Sequence, residues 1–442
     1  MTRQFSLTDD AIRAALTPAP QVHAPFGLAE SIRATVEATP QRRRPWIFGA
    51  IPPQVGSSLR ALVLVALLGI LLLIGLLLAV GSQRSILPAM VSDVAMFHGG
   101  PGRTGVVAGP GPAGQTTIAW EKSVGGPIIA NMPAVVSDVV YVADGGGGVE
   151  AYGATTGDLR WEVSLESAVN TSPAVGGGLV VVGDAAGDVV ALDIRDGSHR
   201  WRFHTGGEVR SSAAIVDGVV YVGSVDGNLY ALDLATGAKR WAFDAGGAVT
   251  RSPAVDGGIV YVGAARGTFI AVDAATGTRR WEKVLGPGQI ASPAVADGLV
   301  VAASGLDDVT APHIVFALDA AHGDERWRFS ALSGQLLVIG ALGGGSVFAP
   351  SSDGNVYSVD AANGELRWAF DGHGVLGSDD ALAAGVLYVS GGDRAVYAVD
   401  ARTGAQLWRL AVTGQPGAIA VVGDRMYLGT DLGKVVAIGE VH

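Results

Sequence analysis

No cysteine occurs anywhere in the 442 residues. That excludes a disulfide framework, a thiolate metal site, a cysteine nucleophile and a lipidated N-terminal cysteine. Charge is also scarce: Asp, Glu, Lys and Arg make up 16% of the chain, against roughly a quarter in an ordinary soluble domain. Positive charge is the scarcer sign beyond residue 60, where 23 Lys and Arg face 37 Asp and Glu. A body with that balance is a poor match for nucleic-acid phosphates, which demand Lys and Arg. What the chain has instead is glycine, 65 residues of it. That is too much for a helical protein and too aperiodic for collagen. With β-branched and aromatic residues still plentiful, the main body reads as all-β with many tight turns.

One stretch departs from this average. Residues 61–81 read ALVLVALLGILLLIGLLLAVG, without a charged or polar side chain. At about 1.5 Å per residue, 21 positions span roughly the 30 Å hydrocarbon layer. A buried core helix seldom lacks a polar face for six turns. A cleaved signal peptide ending near Ala79, Val80 and Gly81 would not follow 60 residues. The run is therefore expected to be a retained transmembrane helix. Arg42, Arg43, Arg44 and Arg60 precede it, while only Arg84 and Arg103 follow closely. Excess positive charge stays cytoplasmic, which places the N-terminus inside and the long C-terminal part outside, at the cell membrane.

Eight of the nine tryptophans recur at a fixed interval: Trp120, Trp161, Trp201, Trp241, Trp281, Trp327, Trp368 and Trp408. One unit, residues 202–241, holds four short β-runs, SSAAIV, VVYVGS, NLYALD and AKRWAF. Asp217-Gly218 and Asp226-Gly227 separate the first three, and Asp-Gly between apolar runs is a strong hairpin signal. Four strands in about 40 residues describe one propeller blade. After Trp408 only 34 residues remain, enough for the three strands AIAVVG, RMYLGT and KVVAIG. The missing outer strand is expected from residues 116–122, around Trp120, which would close the ring and remove free sheet edges. The fold expected is an eight-bladed β-propeller over residues 96–442. It follows a cytoplasmic tail (1–60), a transmembrane helix (61–81) and a linker (82–95). Seven blades is the fallback, and a parallel β-helix the competing architecture.

Each unit ends in a related string: ALDIRDGSHRW at 191–201, ALDLATGAKRW at 231–241, AVDAATGTRRW at 271–281 and AVDARTGAQLW at 398–408. A buried indole removes about 150–250 Å² from water, roughly 4–6 kcal/mol before entropy, and one per blade suits the seam between sheets. Asp193, Asp233, Asp273, Asp319, Asp360 and Asp400 occupy the aspartate position, where a carboxylate can accept N–H groups of the following turn. Gly153 and Gly439 replace it in the first and last units. The A-x-D-x-x-T-G-x-x-x-W string resembles the tryptophan docking motif of pyrroloquinoline-quinone-like propellers. MFHGGPGRTG at Met96–Gly105 is similar to the entry sequence of the same superfamily. The resemblance covers residues 96–442 and implies the fold. It leaves function open among quinoprotein dehydrogenases, the scaffold of outer-membrane barrel assembly and membrane-attached sensor domains.

Chemistry-bearing patterns are few. A quinoprotein dehydrogenase implies calcium or a lanthanide held by Glu, Asn and Asp, a catalytic Asp and usually a vicinal cysteine pair. The pair is absent, so quinone with calcium is disfavoured and no cofactor is expected. His199 and His204 are five apart on one strand and face opposite sides. His313 and His322 lack a neighbouring ligand string, and GGGGV at 145–149 precedes no helix that would make a phosphate cradle. Asp226 and Asp353 sit where a turn already explains them. Binding is the more fitting role, at positions preceding each inner strand around the channel. There the blades differ, with Asn131, Asn170, Thr171, Arg210, Ser211, Arg251 and Asp379. Asp307 and Asp308 join these candidates in GLDDVTAPHI at 305–314, a hairpin six residues longer than its counterparts.

The tail contains two short helical patterns, DDAIRAAL after Thr8 and GLAESIRATVEA. PFGLAESIRATVEATPQRRRPW resembles the segment joining a zinc-binding anti-sigma domain to its membrane helix, without that domain's zinc ligands. The expectation is a membrane-anchored, non-catalytic propeller that binds a protein, peptide or envelope component as scaffold or sensor. Alternatives are a quinone-dependent dehydrogenase and transmembrane signalling through the tail.

Overall fold

The computed structural model describes residues 93–128, 131–306, 312–331, 338–374 and 380–441. These belong to one compact unit, Ile86–His442. The tail, the apolar run 61–81, Asp307, Asp308 and Asp379 lie outside the described residues. Among the described residues no helix is long and apolar enough to cross a membrane.

Eight antiparallel sheets follow one another, each of four strands paired in chain order from the axis outward. Blades 1–7 occupy residues 134–164, 174–204, 214–244, 254–284, 294–330, 341–371 and 381–411. Blade 8 takes its three inner strands from residues 416–440 and its outer strand from Thr116–Ser123, which pairs antiparallel with Lys434–Glu440. The N-terminal strand thus closes the ring. One sheet departs from the four-strand plan. Val106–Val107 adds to the inner edge of blade 7 as a fifth, parallel strand.

Local chemistry sets the turns. In blade 3, Asp217 and Gly218 both adopt positive φ, 50° and 73°, the pattern of a two-residue type I′ hairpin. The second Asp-Gly works differently. Gly227 alone is left-handed there, at φ 95°. Asp226 instead accepts N–H from Gly206 and Asn228 and the hydroxyl of Tyr230.

Every outer strand carries a register shift beside its tryptophan, so one residue is bulged out. In blades 2–6 that residue is Arg200, Arg240, Arg280, Arg326 or Arg367. The bulge breaks the two-residue alternation. It leaves the arginine on the outside, bonded to the aspartate seven residues earlier, as in Arg240–Asp233 at 2.8 Å and Arg326–Asp319 at 2.8 Å. Asp273 and Asp319 are held down at about 2, chiefly by the guanidiniums of Arg280 and Arg326.

The indole then turns inward onto the next blade. Trp201 Nε1 donates to Leu234 O at 2.8 Å, Trp241 to Ala274 O at 3.0 Å and Trp327 to Ala361 O at 2.8 Å. The ring lies flat against the turn glycine. A Cβ on Gly237 would come within 2.7 Å of Trp201, and Gly237 has φ +71°. In four seams a tyrosine of the tryptophan's own blade donates to the same carbonyl, as Tyr261 and Trp281 do to Ala320 O, both at 3.0 Å. At the closing seam the acceptor is Pro112 O, reached by Trp408 at 3.0 Å, so the chain ahead of the closing strand supplies the turn that blade 8 lacks.

This geometry separates two contributions to a seam. Trp241→Phe keeps most of the buried area and loses one hydrogen bond, so denaturant unfolding should register a loss of about 1–2 kcal/mol. Gly277→Ala, which forces a Cβ within 2.7 Å of Trp241 at φ +71°, should cost more than that.

Candidate functional site

A propeller offers two faces and an axial channel, and this chain occupies one end of the channel with its own entry segment. Residues 94–111 pass the inner strands in chain order. Val94 exchanges both backbone hydrogen bonds with Val135 of blade 1, and Ala95 O accepts from Val175 of blade 2. Pro101, Gly102, Thr104 and Gly105 carbonyls accept from Val255, Val295, Leu342 and Leu382 of blades 4–7. Gly111 N–H donates to Gly423 O of blade 8. An inner strand is a sheet edge with unpaired N–H groups, and the segment satisfies them. Val94 and Ala95, expected in the linker, therefore already belong to the propeller.

Blade 3 is reached by a side chain. Arg103 is fully buried and donates to Ser212 O and Ala213 O, each at 2.8 Å, to Pro253 O at 3.0 Å and to Phe97 O at 2.7 Å. Its guanidinium also lies 5.1 Å from the Phe97 ring centroid, and Phe97 stacks on His98. The MFHGGPGRTG string is thus a structural plug at the end marked by the type I′ hairpins.

The other mouth carries the sequence-nominated residues, and the structure divides them. Asn131, Thr171 and Ser211, expected to contact ligand, are buried. They staple the inner strand to its neighbour: Asn131 Nδ2 donates to Ala143 O and Val169 O, Thr171 Oγ1 bonds both N–H and O of Gly183, and Ser211 Oγ accepts from Gly223 N. Small hydroxyl and amide side chains fit there because the buried backbone groups need partners. Asn170, Arg210 and Arg251 are exposed on this face, with Arg210 paired to Glu208 at 2.7 Å. The hairpins between second and third strands share the face, since Val209 N donates to Asp184 O and Val249 N to Ser224 O.

Sequence reading missed a hydrogen-bonded series at this level. Backbone N–H of Met132, Ser172, Ser212 and Ser252 donates in turn to the hydroxyls of Ser172, Ser212, Ser252 and Ser292, at 2.8–3.1 Å. The recurrence of serine every 40 residues was the available signal.

Among the described residues no three His, Cys, Asp or Glu side chains group as a metal site. The most perturbed described carboxyl lies in blade 1. Glu150 is 2% exposed, takes the place of Tyr230 in blade 3, and its Oε2 has no hydrogen-bond partner. Burial first, then Asp144 and Glu162, push it up to about 8. Asp144 beside it is capped by N–H groups of Gly126, Gly146 and Gly148.

A family model described as outer membrane protein assembly factor BamB matches residues 103–244, 225–369 and 311–439. No curated protein matches. Among solved structures, BamB from Moraxella catarrhalis is 22% identical with TM-score 0.61, covering 74% of this chain and 98% of that one. A europium-containing methanol dehydrogenase is 13% identical with TM-score 0.66, covering 79% and 98%. A quinohemoprotein alcohol dehydrogenase from Pseudomonas putida HK5 is 15% identical with TM-score 0.64, covering 79% and 80%. At these identities the likeness is one of fold.

Two measurements probe these features. Arg103→Leu strips four buried carbonyls of their donor and should cost more than 3 kcal/mol, with hydrogen exchange rising first in residues 94–107. Glu150 has a folded pKa above its unfolded value of about 4.5, so the folded state holds the extra proton between about pH 4.5 and 8. Stability should fall as pH rises through that window and level off above it. Glu150→Gln should flatten the slope, matching wild type at pH 4.5 and exceeding it at pH 8.5 in thermal unfolding.

Proposed function

The chain belongs to the BamB assembly-factor family of quinoprotein-like propellers, and from that premise we propose that it is a non-catalytic scaffold binding a protein partner in the cell envelope. The observation that carries this reading is the use made of the axis. One mouth is occupied by the chain's own entry segment, and half of the described mouth residues nominated for ligand contact serve as internal staples. What remains for recognition is broad face and rim, the kind of surface that suits a macromolecule better than a small reacting substrate.

In the same reading residues 61–81 anchor the propeller as a single transmembrane helix, with residues 1–60 in the cytoplasm and residues 94–442 outside. The protein works without a bound cofactor or metal. Its partner is a protein or another envelope component, not nucleic acid, in keeping with the acidic balance of the body. Asn170, Arg210 and Arg251 are the rim residues proposed to meet it, with Asp307, Asp308 and Asp379.

The dehydrogenase reading keeps one argument, the fold shared with methanol and alcohol dehydrogenases. Cross-linking with mass spectrometry on native membranes should join the propeller to one or more envelope proteins. The purified full chain given pyrroloquinoline quinone and Ca²⁺ should show no alcohol- or sugar-dependent dye reduction. Dye reduction above the level of a heat-denatured control would replace the scaffold reading with the enzymatic one.

A further inference from the structure

One position on the third strand of each blade decides how the hairpin before it is held. Three of its eight occupants are tyrosines, four are apolar, and Glu150 of blade 1 is the one carboxyl. Tyr230, Tyr357 and Tyr397 each donate a hydroxyl to the hairpin aspartate four residues earlier, Asp226, Asp353 or Asp393, at 2.6, 2.6 and 2.8 Å. Blade 1 moves its hairpin carboxylate two residues back, with Gly146 at the place of Asp226 and Asp144 at that of Ser224. Asp144 ties two pieces of chain together. It accepts N–H from Gly146 and Gly148 of its own hairpin, and from Gly126 in the link between the closing strand Thr116–Ser123 and blade 1.

Glu150 lies against this junction. A Cβ on Gly148 would stand 2.7 Å from both Asp144 Oδ2 and Glu150 Oε1, and Glu150 Oε2 is buried with no donor. Ionised, Glu150 has no proton to give and sets a second negative charge beside Asp144. Protonated, it supplies the donor that a tyrosine hydroxyl supplies in blade 3, with Asp144 Oδ2 as the adjacent acceptor. The other charges around it favour the protonated form. Glu162 stands directly opposite on the outer strand, where like charges repel. The cations across the seam in blade 8 are engaged elsewhere. Lys122 runs towards Gly157 at the far end of the strand, Arg425 donates to Thr155 O at 3.1 Å, and Lys434 bonds Ser123 Oγ at 2.8 Å. Burial first, then Asp144 and Glu162, raise Glu150 from 4.5 to about 8, so closure holds a proton that the opened chain releases to water.

We propose that Asp144 and Glu150 form a one-proton latch that fastens hairpin 144–148 to the link at Gly126, beside the seam that closes the ring. With the proton shared, the hairpin lies shut on the mouth face. Without it two carboxylates face each other, and Gly145–Gly148 regain more backbone freedom on opening than any other four residues would. Closure therefore weakens as pH rises from about 4.5 to 8 and levels off above. Blade 3 shows no such response below pH 10, because its donor, Tyr230, is held up at about 12 from an ordinary 10. The latch makes one sector of the mouth face pH-dependent, whatever the propeller binds there.

Hydrogen exchange on the full chain in lipid nanodiscs, compared at about pH 5 and about pH 8.5 and corrected for the pH dependence of free amides, tests the latch. Protection of residues 124–128 and 145–148 should fall about tenfold or more at the higher pH, since each unit of pKa difference is worth a factor of about ten. Residues 224–228 of blade 3 should keep theirs. Glu150→Gln, whose side-chain amide donates to Asp144 at either pH, should remove the difference in blade 1. An equal fall in Glu150→Gln, or unchanged protection in the wild type, would overturn the proposal. A loss spread evenly over all eight blades would also overturn it, because the proton would then control global unfolding and not one hairpin.

Discussion

Each blade is fastened to the next by an indole N–H donated to a turn carbonyl, and in seven of the eight seams the ring is pressed on a glycine that has no room for a side chain. The architecture follows from that contact. A four-stranded sheet has two apolar faces, and neither can be left in water. The indole covers one seam while its polar atom is satisfied, so burial brings no unpaired donor. Repetition then does the rest, because the seams reuse the same few residues around the ring. Eight such seams need eight acceptors. The last blade has no turn after its third strand, and Pro112 provides the eighth.

The bulge ahead of each tryptophan links this contact to surface charge. Without the extra residue, arginine and indole would sit on opposite faces of a regular strand and only one of them could reach its partner. With it, the indole faces the neighbouring blade and the arginine folds back over Asp193, Asp233, Asp273, Asp319 or Asp360. The arginine of each pair is exposed, while Asp193 is buried and the other four aspartates are half-buried, so solvent screens the pairs from the arginine side. Their effect is to orient the turn that receives the preceding indole. The charged outer strands also give the eight free edges a coat that resists pairing with other chains.

Much of this was legible in one sequence. The tryptophan interval fixed the period, the residues left after Trp408 implied a borrowed strand, and Thr116–Ser123 is that strand. Other features were hidden because they depend on closure. No local pattern marks a bulge at Arg240, and nothing in MFHGGPGRTG says that Arg103 will stand on the axis among carbonyls from blades 3 and 4. Asn131, Thr171 and Ser211 also show a part that the sequence did not reveal, buried bonding to backbone. They vary from blade to blade as ligand contacts would, yet Thr171 and Ser211 accept from the equivalent glycine N–H, while Asn131 reaches Ala143 O and Val169 O. Variation within a repeat reports local tailoring as readily as recognition.

The entry segment has a bearing on biosynthesis. It leaves the ribosome before any blade, yet its hydrogen-bond partners run from Val135 to Gly423. At roughly 5–20 residues per second, some 290 residues separating those partners take on the order of 15–60 seconds to make. During that interval the entry segment lacks its later partners, and the strand that will complete blade 8 has nothing to pair with. Newly made chains of this protein are therefore exposed to mispairing for as long as translation lasts, and a holding chaperone would act in that interval.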